Sequence, residues 1–131
     1  METFFKHDQP NRVSQKRQRK AALETAFRVV CREVDQRDKH RCRVCGRKCN
    51  PEAVDLLSKG HRHHIVYRSA GGENTSANLV TLCADCHADE HAHRLKVEGD
   101  GDTGITIWRR DGAGDWYMWR RETGIHKVER D

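Results

Sequence analysis

Residues 61–91 read HRHHIVYRSAGGENTSANLVTLCADCHADEH, and the order of elements that they predict defines the core of the protein. Residues 61–67 predict a strand, residues 69–74 form a loop rich in turn-forming residues, and residues 78–82 predict a second short strand. Residues 84–95 predict a helix that follows directly. The order strand, loop, strand, helix indicates a small α+β core.

Two cysteine pairs have the CxxC spacing: Cys42 with Cys45 precedes this stretch, and Cys83 with Cys86 lies within it. A CxxC turn places two sulfurs on one side of a tight bend, and two such pairs complete the tetrahedral site that Zn²⁺ favours. With all four ligands supplied by cysteine, this zinc would be structural. Cys49 competes with Cys45 as a ligand, although CxxC geometry favours Cys45.

Histidines in the same stretch predict a second metal site. His87 and His91 are four residues apart, so on a helix they project from one face and can share a metal ion. His93 lies six residues from His87 and points elsewhere. Hydrolysis of a phosphodiester needs a general base for water and a cation for the developing negative charge, and histidine titrates near neutrality.

The run from His63-His64-Ile65-Val66 through Gly71-Gly72 to Asn78-Leu79-Val80-Thr81-Leu82-Cys83-Ala84-Asp85-Cys86-His87 resembles the HNH motif of the ββα-metal endonucleases. It is especially similar to the branch in which two CxxC pairs bind structural zinc. The resemblance covers about residues 39–95 and implies a metal-dependent endonuclease that cuts DNA and leaves 5′-phosphate and 3′-hydroxyl ends.

Position by position, the resemblance implies that His64 is the general base and that Asn78 ties down the loop and orients the base strand. His87 matches the last motif histidine, and His91 matches an additional ligand found in the colicin-type nucleases. His63 stands where Asp is frequent and is implied to be the third ligand. The implied catalytic ion is divalent, with Mg²⁺, Mn²⁺, Ni²⁺ and Zn²⁺ all compatible.

Strand geometry conflicts with part of this assignment. Successive side chains of a regular strand face opposite sides, so His63 and His64 should not both line one cleft. They could do so if the strand ends, twists or bulges there, or if they approach the phosphate from different sides. By the same alternation His61 shares a face with His63 and competes with it as a ligand.

The rest of the chain divides into a leader with an amphipathic basic helix (1–38), the nuclease core (39–95) and a C-terminal β-hairpin extension (96–131). The helix is predicted from about Ser14 to Lys39, and residues 51–60 are predicted to form a short helix or loop. The helix carries one apolar stripe, formed by Leu23, Ala26, Phe27, Val30 and Val34. Cys31 lies beside this stripe and is predicted to be unliganded. Ile105–Trp108 and Trp116–Trp119 flank the turn-forming residues of the hairpin.

DNA is the predicted partner. The chain has 25 Lys+Arg against 20 Asp+Glu, a net charge of +5, which modestly favours a polyanion. The basic face of the helix is as compatible with solvent exposure as with DNA contact. The candidate phosphate contacts are Arg62, Arg68, Arg109, Arg110, Arg120 and Arg121. Trp108 and Trp119 either join these arginines in a basic aromatic ribbon or complete the core, and the core is favoured.

No apolar run approaches the length of a membrane span, and the N-terminus lacks a secretory signal, so a cytoplasmic protein is expected. Two other functions compete with the nuclease. One is a zinc-stabilised nucleic-acid-binding module without cleavage activity. The other is a redox or zinc-storage protein, which leaves the histidines unexplained. Small chains resembling this branch are common in phages and mobile elements. The sequence leaves open a homodimer or a larger phage or restriction complex.

Overall fold

The computed structural model describes residues 12–50, 52–55 and 58–122. The leader 1–11, parts of the segment 51–60 and the last nine residues of the predicted extension lie outside the described residues. Two single-turn 3₁₀ helices, Arg68–Ala70 and Ser76–Asn78, join the main elements. Those elements are α1 (Arg12–Arg37), β1 (His61–His64), β2 (Leu79–Leu82), α2 (Ala84–His91), β3 (Leu95–Asp100), β4 (Gly104–Arg110) and β5 (Trp116–Arg121).

β1, β2 and α2 form the predicted α+β core. β1 pairs antiparallel with β2, with His61 opposite Leu82 and His64 opposite Leu79. All four residues of β2 are buried, as expected for a strand covered on both faces. α2 follows after a single residue, Cys83, whose sulfur accepts a hydrogen bond from the backbone N–H of Cys86 and so caps the helix.

The C-terminal hairpin is present as β4 and β5, but a third strand precedes it. β3 pairs antiparallel with β4, and the sheet order is β3-β4-β5. The prediction of a helix over 84–95 is therefore wrong beyond His91, where α2 ends. His93 takes a left-handed φ of 58° and turns the chain. Leu95 and Val97 then face the core, while Lys96 and Glu98 are exposed.

The hydrophobic core is continuous across residue 96, where the sequence predicts a boundary. It joins three of the CxxC cysteines, Cys42, Cys83 and Cys86, to β2 through Val80 and Leu82. It continues into the three-stranded sheet through Leu95, Val97, Ile105 and Ile107. The division into three parts stays a prediction, since a shared core does not show how each part folds alone.

α1 begins two residues earlier than predicted and ends two residues earlier, at Arg37. Of its predicted apolar stripe only Val34 is buried, whereas Leu23 is 70% exposed. The stripe is therefore helical in spacing but is left uncovered by the described residues over its first half. None of the described helices is both long enough and apolar enough to cross a membrane.

Buried charges anchor the end of α1. The Asp38 carboxylate accepts hydrogen bonds from the side chains of Arg37 (2.8 Å) and Arg43 (2.8 Å) and from the backbone N–H of Thr81 (2.9 Å). Arg37 also donates to the carbonyl of Leu79 at 2.6 Å. These bonds tie the helix to the first CxxC turn and to β2, since buried charges are stable only when paired.

Candidate metal centre and nuclease site

The sulfurs of Cys42, Cys45, Cys83 and Cys86 all lie within 4.8 Å of one another. The first pair sits in a turn closed by the backbone N–H of Cys42 to the carbonyl of Arg47 (2.9 Å) and the N–H of Gly46 to the carbonyl of Cys42 (2.9 Å). Gly46 has a φ of 77°, which glycine adopts without steric cost. The second pair is the capped start of α2.

The electrostatics of this cluster suit a cation. A hydrogen bond from Cys86, the largest cause, together with nearby backbone N–H groups lowers the pKa of Cys42 to about 4. Burial, followed by the neighbouring Cys42 charge, raises the pKa of Cys83 to about 11. Four thiolates this close repel one another unless a cation neutralises them, so the donor set fits a structural Zn²⁺ with four sulfur ligands.

The other two described cysteines lie outside the cluster. Cys49 is buried, but its thiol faces the carbonyl of Arg47 at 3.6 Å and is not among the four converging sulfurs. Cys31 is buried on α1. Burial is the main cause that raises the pKa of each thiol. Of the two alternatives left open by the sequence, the structure favours Cys45 over Cys49.

Four histidines gather where β1 faces α2. The Nε2 atoms of His87 and His91 lie 3.0 Å apart. The His87 ring stacks on His61 with centroids 4.7 Å apart and meets His63 edge-on at 5.9 Å. His87 is thus central, and both β1 candidates lie beside it. Within the described residues, no three histidine nitrogens converge as closely as the four sulfurs do.

Burial keeps the central histidines neutral near pH 7. It is the main cause that lowers the pKa of His87 to about 4, with further lowering by His61, His91 and His63. Burial also lowers the pKa of His63, although Glu90 opposes it. A neutral imidazole has the lone pair that binds a divalent ion, so the donor chemistry fits the ion that the motif implies.

His64 points to the other side of β1. Its Nε2 lies 2.8 Å from the Oδ1 of Asn74, and its ring stacks on Phe27 of α1 with centroids 6.0 Å apart. Arg68 donates to the same Asn74 oxygen and lies 3.3 Å from the Nε2 of His64. The tautomer with its proton on Nε2 donates to Asn74 and has its lone pair on Nδ1, whereas the tautomer with its lone pair on Nε2 accepts from Arg68.

Asn78 holds the loop between β1 and β2. Its side-chain amide donates to the carbonyls of Val66 (3.0 Å) and Glu73 (2.9 Å), and its oxygen accepts from the N–H of Val66 (2.8 Å). A Cβ on Gly72 would lie 1.8 Å from the carbonyl oxygen of Val66, so only glycine fits where the loop closes. Asn78 and Gly72 together fix the end of β1.

Comparison with known proteins agrees with this arrangement. The family model for the HNH endonuclease matches residues 42–93, from the first zinc cysteine past the last histidines of α2. The chain also resembles Anaredoxin from Nostoc sp., with 30% identity over 71 residues, which cover 54% of this chain and 83% of that protein. This chain belongs to the HNH endonuclease family. No solved structure matches it.

Membership in the HNH family supports a nuclease-type or nucleic-acid-binding function together with the zinc site. The match ends before β3, so α1 and the three-stranded sheet lie outside it. The remaining residues that the sequence predicts to contact DNA lie on β4 and β5 of that sheet.

The candidate phosphate contacts of the HNH core differ in their surroundings. Arg62 donates to both carboxylate oxygens of Asp35, at 3.1 and 2.6 Å. This pairing gives Arg62 a structural partner and does not favour phosphate contact. Arg68 is exposed and lies 4.8 Å over the Phe27 ring, beside His64. It is the better placed of the two.

The sheet beyond the HNH match carries an exposed aromatic and basic strand. Trp119 is 42% exposed, so the expectation that it completes the core is wrong, while Trp108 is half-buried. Arg109 and Arg120 stack on Trp119 at 4.5 and 5.6 Å. β5 is the last strand of the sheet, so no further strand of the described residues covers this ring. Stacking on arginine shields it from water instead.

The arginines of β4 and β5 are engaged to different degrees. Arg120 also donates to the carbonyl of Arg43, which ties β5 to the first CxxC turn. Arg110 stacks on Trp116 at 4.6 Å, and Arg121 is exposed at the end of β5. Arg110 and Arg121 therefore keep their guanidinium groups most available for phosphate.

Three residues that contact the site histidines are not part of the sequence motif, namely Phe27, Asn74 and Glu90. Phe27 and Asn74 contact His64 from α1 and from the loop. Glu90 is buried between Tyr67 and His63, and the hydrogen bond that it accepts is the main cause that raises the pKa of Tyr67 to about 12. For Glu90 the sequence offered one signal: it follows His87 by three residues on the same predicted helix, a spacing that places two side chains side by side.

Proposed function

We propose that this chain is a metal-dependent HNH endonuclease that hydrolyses phosphodiester bonds in DNA. One observation carries the proposal: adjacent residues of β1 supply an oriented candidate base, His64, and a buried histidine, His63, that faces the histidine pair of α2. A module that only binds nucleic acid needs neither an oriented base nor a cluster of neutral imidazoles.

The geometry supports a division of roles along the strand. In the tautomer with its proton on Nε2, His64 donates to Asn74 and takes a proton from water at Nδ1. The water oxygen then attacks phosphorus, the bond from phosphorus to the 3′ oxygen breaks, and that oxygen takes up a proton from a second, solvent water as it leaves. This route gives the 5′-phosphate and 3′-hydroxyl ends expected for the family.

His63, His87 and His91 are the proposed ligands of the catalytic ion. When bound, a divalent ion stabilises the negative charge on the phosphate and on the leaving oxygen. Asn78 is a positioning residue, because its three hydrogen bonds hold the loop that follows β1, the strand that carries His64. The structural zinc at the four cysteines holds α2 against the first CxxC turn.

DNA contact is proposed for Arg68 at the site and for Arg109, Arg110, Arg120 and Arg121 on the sheet. Contacts of this kind position the backbone without reading sequence. Exposed Trp116 and Trp119, held by stacked arginines, add flat surfaces beside the charges. A cytoplasmic location and assembly as a homodimer or in a phage or restriction complex remain proposals for separate tests.

A redox protein is the second candidate, because one observation favours it. The Nostoc relative carries the name Anaredoxin, and four cysteine thiolates can hold iron as well as zinc. This role gives no reason for the histidines of β1 and α2 to gather.

Metal analysis and plasmid cleavage together test the proposal. The purified chain is assayed for zinc and iron and then incubated with supercoiled plasmid, with EDTA or with Mg²⁺, Mn²⁺ or Ni²⁺ added in excess. We expect one zinc per chain and ion-dependent nicking or linearisation that EDTA abolishes. His91→Ala should lose this cleavage, whereas His93→Asn should keep it, because Asn tolerates the left-handed backbone there.

Two other results would contradict the nuclease. A folded, zinc-loaded chain that binds DNA but cuts no plasmid with any ion would indicate the binding module. Stoichiometric iron with a visible charge-transfer spectrum would indicate the redox protein.

A further inference from the structure

Glu90 is a buried carboxylate placed between two of the site's side chains. It lies on α2 between the two histidines of that helix and is only 5% exposed. The Tyr67 hydroxyl donates a hydrogen bond to its Oε1. Its Oε2 is buried, has no hydrogen-bond partner within the described residues, and lies 3.6 Å from the Nδ1 of His63.

The burial of Glu90 indicates which ring nitrogen of His63 carries the proton. A carboxylate removed from water is stable only when its oxygens are paired, and Tyr67 satisfies just one of them. The group that faces the other oxygen is the ring of His63, which is 4% exposed. If Nδ1 carried a lone pair, it would face the carboxylate charge and be repelled. A proton on Nδ1 removes that repulsion and attracts Oε2 instead.

A proton on Nδ1 decides what the other ring nitrogen can do. In a neutral imidazole one nitrogen is the donor and the other the acceptor. With Nδ1–H held toward Glu90, Nε2 keeps its lone pair and becomes the ligand atom. Carboxylates that orient metal-bound histidines in this way are a recurrent device.

We propose that Glu90 is a positioning residue that holds the Nδ1–H tautomer of His63 and so presents Nε2 to the divalent ion. This inference rests on the proposed role of His63 as a ligand. The Glu90 carboxylate faces Nδ1 of His63, so the inference names Nε2 of this histidine as the ligand atom. Tyr67 acts one step further out, since its hydroxyl fixes the carboxylate that faces His63.

The test uses the full-length, zinc-loaded chain and two readouts that do not involve DNA. Long-range ¹⁵N–¹H NMR without added ion reports which nitrogen of His63 is protonated, and calorimetric titration with Ni²⁺ gives the dissociation constant of the histidine site. Glu90→Gln is the main variant: its oxygen can still accept from Tyr67, but its amide would present N–H to His63. Asp89→Asn removes the same charge from the neighbouring residue of α2, a partly exposed carboxylate paired with Arg94.

We expect Nδ1–H on His63 in the wild type and in Asp89→Asn, and a shift toward Nε2–H in Glu90→Gln. Ni²⁺ affinity should fall by about 10- to 100-fold in Glu90→Gln alone. In His63→Ala, the further change of Glu90 to Gln should have almost no additional effect on Ni²⁺ affinity, because Glu90 acts through His63.

Three results would overturn the inference: Nε2–H on wild-type His63, equal Ni²⁺ dissociation constants for wild type and Glu90→Gln, or no uptake of Ni²⁺ by the histidines. The first of these needs no variant and so does not depend on how Glu90→Gln folds. If the plasmid stays uncut while the tautomer and affinity change as expected, the nuclease proposal fails and this inference stands.

Discussion

At the scale of single residues, the neighbours His63 and His64 have opposite surroundings because a strand turns successive side chains to opposite faces. His63 is buried against Glu90 and faces His87. His64 meets Asn74 on the other face. The two side chains therefore lie on different sides of β1, which is the arrangement that one of the alternatives left open by the sequence requires.

Asn74 should matter for cleavage because it holds the ring of His64. Asn74→Ala removes the acceptor for Nε2–H, and we expect the single-turnover cleavage rate to fall about tenfold, a fraction of the 10²–10⁴ that a general base contributes. Asn74→Asp keeps an acceptor and should recover most of the rate. The measurement is cleavage of a labelled duplex at saturating enzyme, and wild-type rates in Asn74→Ala would refute this role.

The motif histidines could be predicted from sequence because their residue types, order and spacing are local. Asn74 and Phe27 could not, since their contacts with His64 arise from the path of the loop and from the packing of α1. Side chains of ordinary type that meet only in three dimensions leave no periodic signal.

At the scale of elements, the cluster of four cysteines joins a turn to a helix. The first CxxC pair closes its turn around Gly46, and the second pair begins α2 with Cys83 as its cap. α2 has only eight residues, and an isolated helix of that length is unstable in water. The cluster therefore fixes the element that carries His87 and His91.

Loss of one cluster cysteine should release the zinc and unfold the core. Structural zinc contributes about 10–16 kcal/mol of binding free energy, comparable to the whole stability of a domain. We expect Cys83→Ser to lose its zinc and its cooperative thermal transition. Cys49→Ser, which changes a buried thiol outside the cluster, should keep one zinc per chain.

Zinc content by atomic emission and thermal unfolding by circular dichroism measure both variants. The structural-zinc account is refuted if Cys83→Ser keeps its metal and its melting temperature, or if Cys49→Ser loses zinc as Cys83→Ser does.

The elements nearest the motif are those that the sequence predicts best. β1, β2 and the start of α2 follow from alternation, turn residues and capping. β3 is missed because residues 92–94 carry no Gly or Pro to mark the end of the helix. The turn there depends on His93 in a left-handed conformation, which is uncommon for a residue other than glycine.

At the scale of the whole molecule, buried ion pairs connect parts that are distant in sequence. Asp38 pairs with Arg37 and Arg43 at the end of α1 and the first CxxC turn. Arg43 in turn pairs with Glu122, just after β5. The chain outside the HNH match is thereby tied to the zinc turn, in addition to the shared core.

Asp38→Asn should destabilise the protein strongly. Its side chain is fully buried and its replacement leaves two buried arginines short of charge, which typically costs about 3–5 kcal/mol. Asp85→Asn breaks the exposed pair with Arg47 and should cost less than about 1 kcal/mol. Urea unfolding at fixed zinc gives both values, and equal losses in the two variants would contradict this account.

DNA affinity should depend on salt through the exposed arginines of the sheet. Each phosphate contact contributes about −0.9 to the slope of log K against log salt. The double variant Arg110→Ala with Arg121→Ala should reduce the slope by about 2, whereas Lys48→Ala on the first CxxC turn should leave it unchanged. Fluorescence anisotropy of a labelled duplex across a salt series measures the slope, and an unchanged slope in the double variant would exclude these contacts.

Charge patterns predict a nucleic-acid surface but not its shape. Trp119 and Leu23 are exposed although their sequence patterns favour burial. Each belongs to an element with one side uncovered by the described residues, β5 at the edge of its sheet and α1 beyond the core. Whether a partner element covers an apolar side chain is a tertiary property that spacing along the chain does not encode.

The single-turnover rate of DNA cleavage by His64→Ala tests the central claim most directly. The variant is compared with the wild type and with His93→Asn at a saturating concentration of the activating ion, after zinc content and melting temperature have been matched. The account predicts a loss of at least about 100-fold in His64→Ala alone. Cleavage by His64→Ala at the wild-type rate would show that His64 is not the general base and would contradict the account.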